Sequence, residues 1–312
     1  MKTTKFRTLR ILTVLGASIA LVATSASVSS AAPDSDEQVQ SLIQRVAPNQ
    51  GTVSQGMSLG GKTRFSSTNV EVEIPDAASV PVSIEAEKKA TLHVSLPKDL
   101  KLNNGKSSSD GTVVYQSQDN SVDAAVQSMT NGSVRIQTII RSASSPPHEF
   151  SYGIGNGFQP VEAPDGSIYV IGFDADGKYT AFGVKPAWAR DASGKSVPTN
   201  YEIRGGDLIQ VVTPSSQTEY PVVADPTWEW YQAAYGAGLN KSETKALADQ
   251  GSLGFFCGAL ALVGVGIGAA WCGIFGGAIF HNTKRAASEN GCIFIAAVPV
   301  PVAVGYNSQN CY

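Results

Sequence analysis

The chain has 312 residues, of which 42% are hydrophobic and only 16% are charged. At about 150 residues per domain, this length predicts two domains, each large enough to bury a core. The 23 lysines and arginines are outnumbered by 26 aspartates and glutamates, and no segment concentrates the basic residues. This balance argues against a nucleic-acid partner.

The first 31 residues have the organisation of a secretory signal peptide. Four basic residues precede an apolar run at 11–22, and Ser29, Ser30 and Ala31 form a small-residue cleavage pattern. The apolar run is short compared with the roughly 20 residues of a membrane span. We therefore expect cleavage after Ala31 and secretion. The mature chain would then carry 19 basic and 26 acidic residues, a net charge of −7.

The next two segments differ in pattern. At 32–64 we expect a flexible N-terminal arm with one short amphipathic helix before Pro48. From 65 to 227, short alternating runs of β-branched and aromatic residues are separated by glycine, asparagine and aspartate. This pattern predicts about a dozen strands, and hence an all-β, sandwich-like antiparallel domain.

Two dipeptides predict hairpins inside this β-rich domain. Asn131-Gly132 lies between two runs of strand character, and both residues accept the positive φ angles of a two-residue type I′ turn. Asp176-Gly177 predicts a second hairpin, between strands at 168–173 and 178–184.

Residues 228–312 have a different character. The pattern changes after Asp225-Pro226, and we predict a small α-helical module from Trp228 onward. Asn240 with Glu243 three residues later predicts a capped helix start, and Asn290-Gly291 predicts a helix end. Within this module the uncharged stretch 253–280 is predicted to form a helical hairpin.

The cysteines all lie in this last module. They are Cys257, Cys272, Cys292 and Cys311, and no two are spaced as a C-x-x-C pair. In a secreted protein an even number of cysteines at such spacings indicates disulfides rather than a zinc site. We expect the sequential pairs Cys257–Cys272 and Cys292–Cys311, because short loops close at low entropic cost.

The segments along the β-rich domain resemble those of a known family. They read DGTVVY at 110–115, GSVR at 132–135, PDG at 164–166, PAWARDA at 186–192 and YPVVADP at 220–226. Their order resembles the β-rich module of secreted actinobacterial proteins and, more distantly, the module ahead of YD/Rhs repeats in wall-associated toxins. The resemblance covers 65–227. It implies a carrier domain followed by a variable C-terminal module, and it transfers no catalytic residues.

Motifs for catalysis and metal binding are missing from the sequence. The chain has no Gly-x-Ser-x-Gly, no His-Glu-x-x-His, no phosphate-binding loop and no dinucleotide fingerprint. The three histidines, His93, His148 and His281, are far apart, and we interpret them as structural or surface residues. The aspartates at 174 and 176 lack the further ligands of a calcium loop. We therefore expect no enzyme activity, metal, cofactor or small-molecule substrate.

The apolar stretch 253–280 is the predicted contact surface. Its glycines form three small-xxx-small pairs, which allow helices to approach closely: Gly254 with Gly258, Gly264 with Gly268, and Gly273 with Gly277. Three interpretations stay open: a stapled module that binds a partner, a membrane-active, bacteriocin-like effector, or a transmembrane anchor stopped by Lys284 and Arg285. A single span would place two cysteines in the membrane and two in a reducing cytoplasm. The favoured function is a secreted, non-enzymatic protein that interacts with the cell envelope or a membrane through 228–312.

Overall fold

The structure is a computed structural model. It describes residues 35–48, 51–145, 148–155, 157–162, 166–173, 175, 179–230, 236–249, 269–296, 302–306 and 311–312. The signal peptide expected at 1–31 and most of the apolar stretch lie outside these residues.

Three helices and four sheets make up the described chain. The helices are α1 (Ser35–Val46), α2 (Lys241–Ala248) and α3 (Ala269–Ser288). The first sheet contains β1 (Met57–Ser58), β2 (Lys62–Ser66), β3 (Val70–Pro75), β4 (Val82–Ala86) and β5 (Ala90–Val94). The large sheet contains β6 (Lys106–Ser107), β7 (Val113–Tyr115), β8 (Val122–Ser128), β9 (Val134–Ile140), β11 (Gln159–Glu162), β12 (Ile168–Phe173), β13 (Tyr179–Val184), β14 (Trp188–Arg190), β17 (Val222–Asp225) and β18 (Thr227–Trp230). The third sheet contains β10 (Glu149–Tyr152), β15 (Thr199–Arg204) and β16 (Asp207–Val212), and the C-terminal sheet contains β19 (Gly236–Leu239), β20 (Cys292–Ala296) and β21 (Val302–Tyr306).

The paired strands are antiparallel in every sheet. The first sheet follows chain order from β1 to β5, as expected for successive hairpins. The large sheet has the order β11-β12-β13-β18-β9-β8-β7-β6, with β17 also paired to β9 and β14 paired to β17. The prediction of a mainly antiparallel β structure is confirmed.

The first, large and third sheets share one hydrophobic core, and together we call them the β-body. Ile84 and Leu92 enter this core from the first sheet, Phe150 from the third, and Phe182 and Trp228 from the large sheet. Burial of so many large side chains in one cluster is the main stabilising contribution expected for a domain of this size.

Burial along the strands explains why alternation predicted the first sheet well. In β3, Val70 and Val72 face the core, whereas Glu71 and Glu73 face outward. The outward Glu73 carboxylate binds the side chains of Lys62 and Arg64 at 2.6 and 2.7 Å. These two cations lower the pKa of Glu73.

Helix α1 differs from the expected flexible arm, because its apolar face packs on the large sheet. Ile43 is only 1% exposed, and Val39, Leu42 and Val46 beside it are also buried. Together they contact a second cluster of buried residues on the large sheet: Val114, Ala125, Ile139 and Val223. The polar side of the helix is also attached, since the Glu37 carboxylate accepts hydrogen bonds of 2.8 Å from the Ser109 N–H and hydroxyl. This cover explains why β8 and β9 are buried on both faces.

The hairpin between β8 and β9 is present, but its turn differs from the predicted one. Only Gly132 of the dipeptide has a positive φ, 84°. The Gly132 N–H donates to the Met129 carbonyl, and the Met129 N–H donates to the Ser133 carbonyl. This is a three-residue loop in which a type I turn is followed by one left-handed glycine. The second predicted hairpin has its strands, β12 and β13, paired from Phe173 with Tyr179 onward.

The predicted change to helix at Trp228 is wrong. Pro226 interrupts the chain for one residue, and β18 then returns it to the large sheet, between β9 and β13. Trp228 is 1% exposed in the core of the β-body. Aromatic residues at 228 and 230 favour a strand, and partners distant in sequence supply its hydrogen bonds.

Residues 236–312 form what we call the C-terminal module, which contains a sheet as well as helices. The predicted start of α2 is confirmed, because Asn240 and Glu243 form a reciprocal capping box. The predicted end of α3 is also confirmed: Asn290 has a φ of 53°, and the Gly291 N–H donates to the Ala286 carbonyl at 2.8 Å. The helical hairpin predicted at 253–280 is not confirmed, since 251–268 lies outside the described residues.

Candidate functional site: the cleft between the β-body and the C-terminal module

Helix α3 lies against the C-terminal sheet with one face buried. Ile279, Thr283 and Ala286 are buried at the three- and four-residue spacing of one helical face, and the helix contacts β20, β21 and α2. Gly305 in β21 lies opposite Ala286 of α3, and a Cβ added at Gly305 would make ordinary van der Waals contact with the Ala286 Cβ, at 3.5 Å. The Asn282 side chain also donates a hydrogen bond of 3.0 Å to the Ala303 carbonyl. These contacts fix the position of the exposed face of α3.

One predicted disulfide is present. Cys292, at the start of β20, is bonded to Cys311, and their Cα atoms are 5.5 Å apart. The bond attaches the end of the chain to the centre of the C-terminal sheet, where Cys292 is completely buried. The pair predicted between Cys257 and Cys272 lies outside the described residues and side chains.

Two of the six predicted contact glycines lie in the described chain. Gly273 and Gly277 are both in α3, and Gly277 is exposed with open space where a side chain would extend. The other four, Gly254, Gly258, Gly264 and Gly268, lie outside the described residues. In the part of the chain that is described, no helix is both long and apolar enough to cross a membrane.

A cleft of about 660 Å³ lies between the β-body and the C-terminal module. Its first wall is β11, an end strand of the large sheet, and its second wall is α3 with β21. Ile203 and Gly206 of the third sheet close one side. The two walls are joined directly, since the Gln159 side chain donates a hydrogen bond of 3.5 Å to the Gly305 carbonyl.

Five of the twelve residues that line the cleft have polar side chains that can make hydrogen bonds, and the others are apolar residues or glycine. Glu162 contributes a carboxylate, Arg285 a guanidinium, and His281 an imidazole, and all three side chains are exposed. Gln159 and Asn282 add amides beside them. An arginine offers five donors in a fixed plane, which suits carboxylate, phosphate or amide acceptors. The arrangement can therefore bind a polar chain-like ligand by hydrogen bonds.

The histidines do not meet in this structure. His281 lines the cleft, whereas His93 lies in β5 and His148 precedes β10. Among the described residues, no group of three or more histidine, cysteine, aspartate or glutamate side chains is placed to hold a metal ion.

A second cleft, of about 540 Å³, is lined by residues of the β-body. Lys98 and Lys101 line it together with Leu96, Pro97 and Leu100. It contains no residue of the C-terminal module, and its charged groups are basic only. This second cleft therefore serves as an internal reference for the first.

No protein-family model matches the chain, and neither a curated protein nor a solved structure matches it. The resemblance to the module ahead of YD/Rhs repeats therefore stays a prediction from sequence segments, and function has to be inferred from the geometry.

The sequence did not single out the cleft residues Gln159 and Glu162, and it assigned Arg285 only a role next to a membrane span. Gln159 and Gly305 are separated by 146 positions. Local periodicity carries no information about such a pairing, because it depends on how the C-terminal module packs on the large sheet.

Proposed function

We propose that the protein is a secreted, non-catalytic binding protein of the cell envelope, in which the β-body presents the C-terminal module. The observation that carries this proposal is the place of Trp228, which is buried in the core of the β-body on the strand that leads into the module. The hydrogen bond from the Gln159 side chain to the Gly305 carbonyl also supports a fixed orientation of the module on the β-body, as a presented binding surface requires.

The cleft is the proposed binding surface. It combines an edge strand of the carrier with the exposed side of α3, and its donors and acceptors suit the amides, carboxylates and hydroxyls of envelope polymers. The helical hairpin at 253–280, its glycine pairs and the pair Cys257–Cys272 belong to the same proposal as a further contact region.

Sedimentation with isolated envelope material tests this function. The mature protein, residues 32–312, is incubated separately with insoluble cell walls of the producing organism and with phospholipid vesicles. We expect it to sediment with the walls. Replacement of Arg285 by alanine should weaken binding about 10-fold, since a hydrogen bond to a charged group contributes about 1.5–3 kcal/mol.

Lys101→Ala provides the matched control, because it removes an exposed cation from the second cleft and should leave binding unchanged. Binding to vesicles alone would overturn the proposal in favour of the membrane-active alternative. Equal loss with both variants would mean that general charge, rather than the cleft, is responsible.

A further inference from the structure

The bond between Asp225 and Pro226 lies where two consecutive strands of the large sheet separate toward different neighbours. The strands β17 and β18, on either side of it, both pair with β9 but then separate toward β14 and β13. This is the only Asp-Pro dipeptide in the sequence. Because proline has no N–H, the bond makes no donor contribution to the ladder.

Hydrogen bonds hold the groups around this bond in place. The Tyr201 hydroxyl donates to the main-chain carbonyl oxygen of Asp225 at 2.9 Å. The Thr227 hydroxyl donates to one oxygen of the Asp225 carboxyl, Oδ2. The other oxygen, Oδ1, is buried and makes no hydrogen bond of normal geometry, and the Trp188 side chain is a further group that favours the ionised carboxyl. On the far side of the bond, the Pro226 carbonyl accepts from the Ile136 N–H at 3.0 Å.

The carboxyl is also kept near the point of protonation. Complete burial raises the pKa of Asp225 to about 7, although the Thr227 hydroxyl, the charges of Arg135 and Lys185, and the Trp188 side chain favour the ionised form. Tyr152 and Tyr201 are the other titratable groups that face it, and burial raises both of their pKa values, so their hydroxyls stay protonated. Near neutral pH the site therefore offers both a carboxyl proton and a tyrosine donor.

We propose that Asp225-Pro226 is a self-cleavage site, at which Tyr201 stabilises the oxyanion formed when the Asp225 carboxyl attacks its own main-chain carbonyl. The reaction would use a carboxyl oxygen that makes no hydrogen bond of normal geometry, a polarised carbonyl and a leaving group that lacks an N–H. None of the three needs a residue from outside the β-body.

The steps balance with one water molecule. Oδ1 bonds to the main-chain carbonyl carbon of Asp225, and the carbonyl oxygen becomes an oxyanion next to the Tyr201 hydroxyl. The carbon–nitrogen bond to Pro226 then breaks, and the proton of the carboxyl goes to the proline nitrogen. The products are a cyclic anhydride at Asp225 and a secondary amine at Pro226. Water opens the anhydride to the two carboxyls of a new C-terminal aspartate.

Cleavage would leave the two pieces associated. The strand that begins at Thr227 stays paired with β9 and β13, and Trp228 stays buried between them. The C-terminal module would then be attached by non-covalent contacts alone. A later unfolding force or denaturing surface would separate it from the carrier.

Intact-mass measurement after denaturation tests the proposal. The freshly purified mature protein is incubated at pH 7 in native buffer and, in parallel, in denaturant at the same pH. We expect fragments 32–225 and 226–312 to accumulate faster in native buffer, with a single species seen by native mass spectrometry. Equal or faster cleavage in denaturant, or none in native buffer, would overturn the proposal.

Two variants with matched shapes separate the site from ordinary chemical lability. Tyr201→Phe removes only the hydroxyl and should slow cleavage about 100-fold, the usual effect of losing one oxyanion donor. Tyr115→Phe is the control, since its buried hydroxyl donates to the Pro75 carbonyl rather than to Asp225, and its removal should leave the rate unchanged. If both variants cleave at the wild-type rate, Tyr201 does not stabilise the oxyanion and the proposal is wrong.

Discussion

The hydroxyl of Thr244 accepts a hydrogen bond of 3.0 Å from the backbone N–H of Ile293. The same hydroxyl donates to the Leu239 carbonyl at 3.2 Å. Thr244 is completely buried. One side chain on α2 therefore connects the ends of two paired strands, β19 and β20, and this contact holds the helix on the C-terminal sheet.

Replacement of Thr244 by valine should destabilise the C-terminal module by about 1–3 kcal/mol. Valine has nearly the same shape, so the loss comes from leaving the Ile293 N–H buried without an acceptor. Hydrogen exchange of β20 measures it, and Thr244→Ser, which keeps the hydroxyl, should restore most of the protection. Wild-type protection in the valine variant would contradict this role.

The disulfide should stabilise the end of the chain. Cys292 and Cys311 are 19 positions apart, and a loop of this size contributes about 3 kcal/mol. Cys311 also positions Tyr312, whose carbonyl accepts from the Lys241 N–H at 3.1 Å at the start of α2. The double variant Cys292→Ser and Cys311→Ser should therefore lower the free energy of unfolding of the module by about that amount. Chemical denaturation, together with hydrogen exchange resolved by peptide, measures this loss of stability. Unchanged hydrogen exchange in α2 would contradict the role given to the contact between Tyr312 and Lys241.

Helix α1 should contribute measurably to the stability of the β-body. Ile43→Ala removes a side chain packed on the large sheet and should cost about 2–5 kcal/mol. Arg45→Ala, on the exposed side of the same helix, should change stability by less than about 0.5 kcal/mol. Urea denaturation of both variants provides the measurement. Equal stability of the two would favour a flexible arm.

Protonation of Asp225 should make stability depend on pH in an unusual direction. Its pKa is about 7 in the folded protein, against an ordinary value of 3.8, so the folded state retains a proton that the unfolded state releases. Retention of this proton by the folded state contributes fully to the free energy of unfolding below about pH 4. The contribution is lost as the pH rises to about 7, by up to about 1.4 kcal/mol per pH unit.

Asp225→Asn isolates this effect, because an amide of the same shape does not titrate. The stability of the wild type relative to this variant should fall between pH 4 and 7, measured by denaturation of uncleaved protein. A difference that is constant over this range, or that rises with pH, would show that Asp225 is ionised in the folded state. Glu73, Glu149 and Asp191 have lowered pKa values, so their contributions to stability increase with pH. They do so equally in the wild type and in Asp225→Asn, and therefore cancel in the comparison.

Local signals predicted much of the fold. Alternation located β3 because only one face of the first sheet is buried, and the capping box at Asn240 located the start of α2 because its hydrogen bonds are local. The pair Cys292–Cys311 followed from loop length. In each case the determining interaction lies within about 20 residues of chain.

Features that depend on distant partners were missed. The amphipathic helix α1 was predicted, but the apolar face that covers its side chains comes from β7, β8, β9 and β17. Pro226 predicts the end of the β-rich domain and a helical module from Trp228 onward, whereas Thr227–Trp230 forms a strand of the large sheet. The cleft could not be predicted from local patterns, because Gln159 and Arg285 line the same cleft only when the module packs on the large sheet.

The central claim is that the β-body presents the C-terminal module so that the cleft between them binds the cell envelope. Hydrogen exchange of the mature protein with and without bound cell-wall material tests it most directly. We predict added protection in Gln159–Glu162 and in the part of α3 around Asn282, and none around Lys101 in the second cleft. Protection confined to other strands, or bound protein with no protection at β11 and α3, would contradict it.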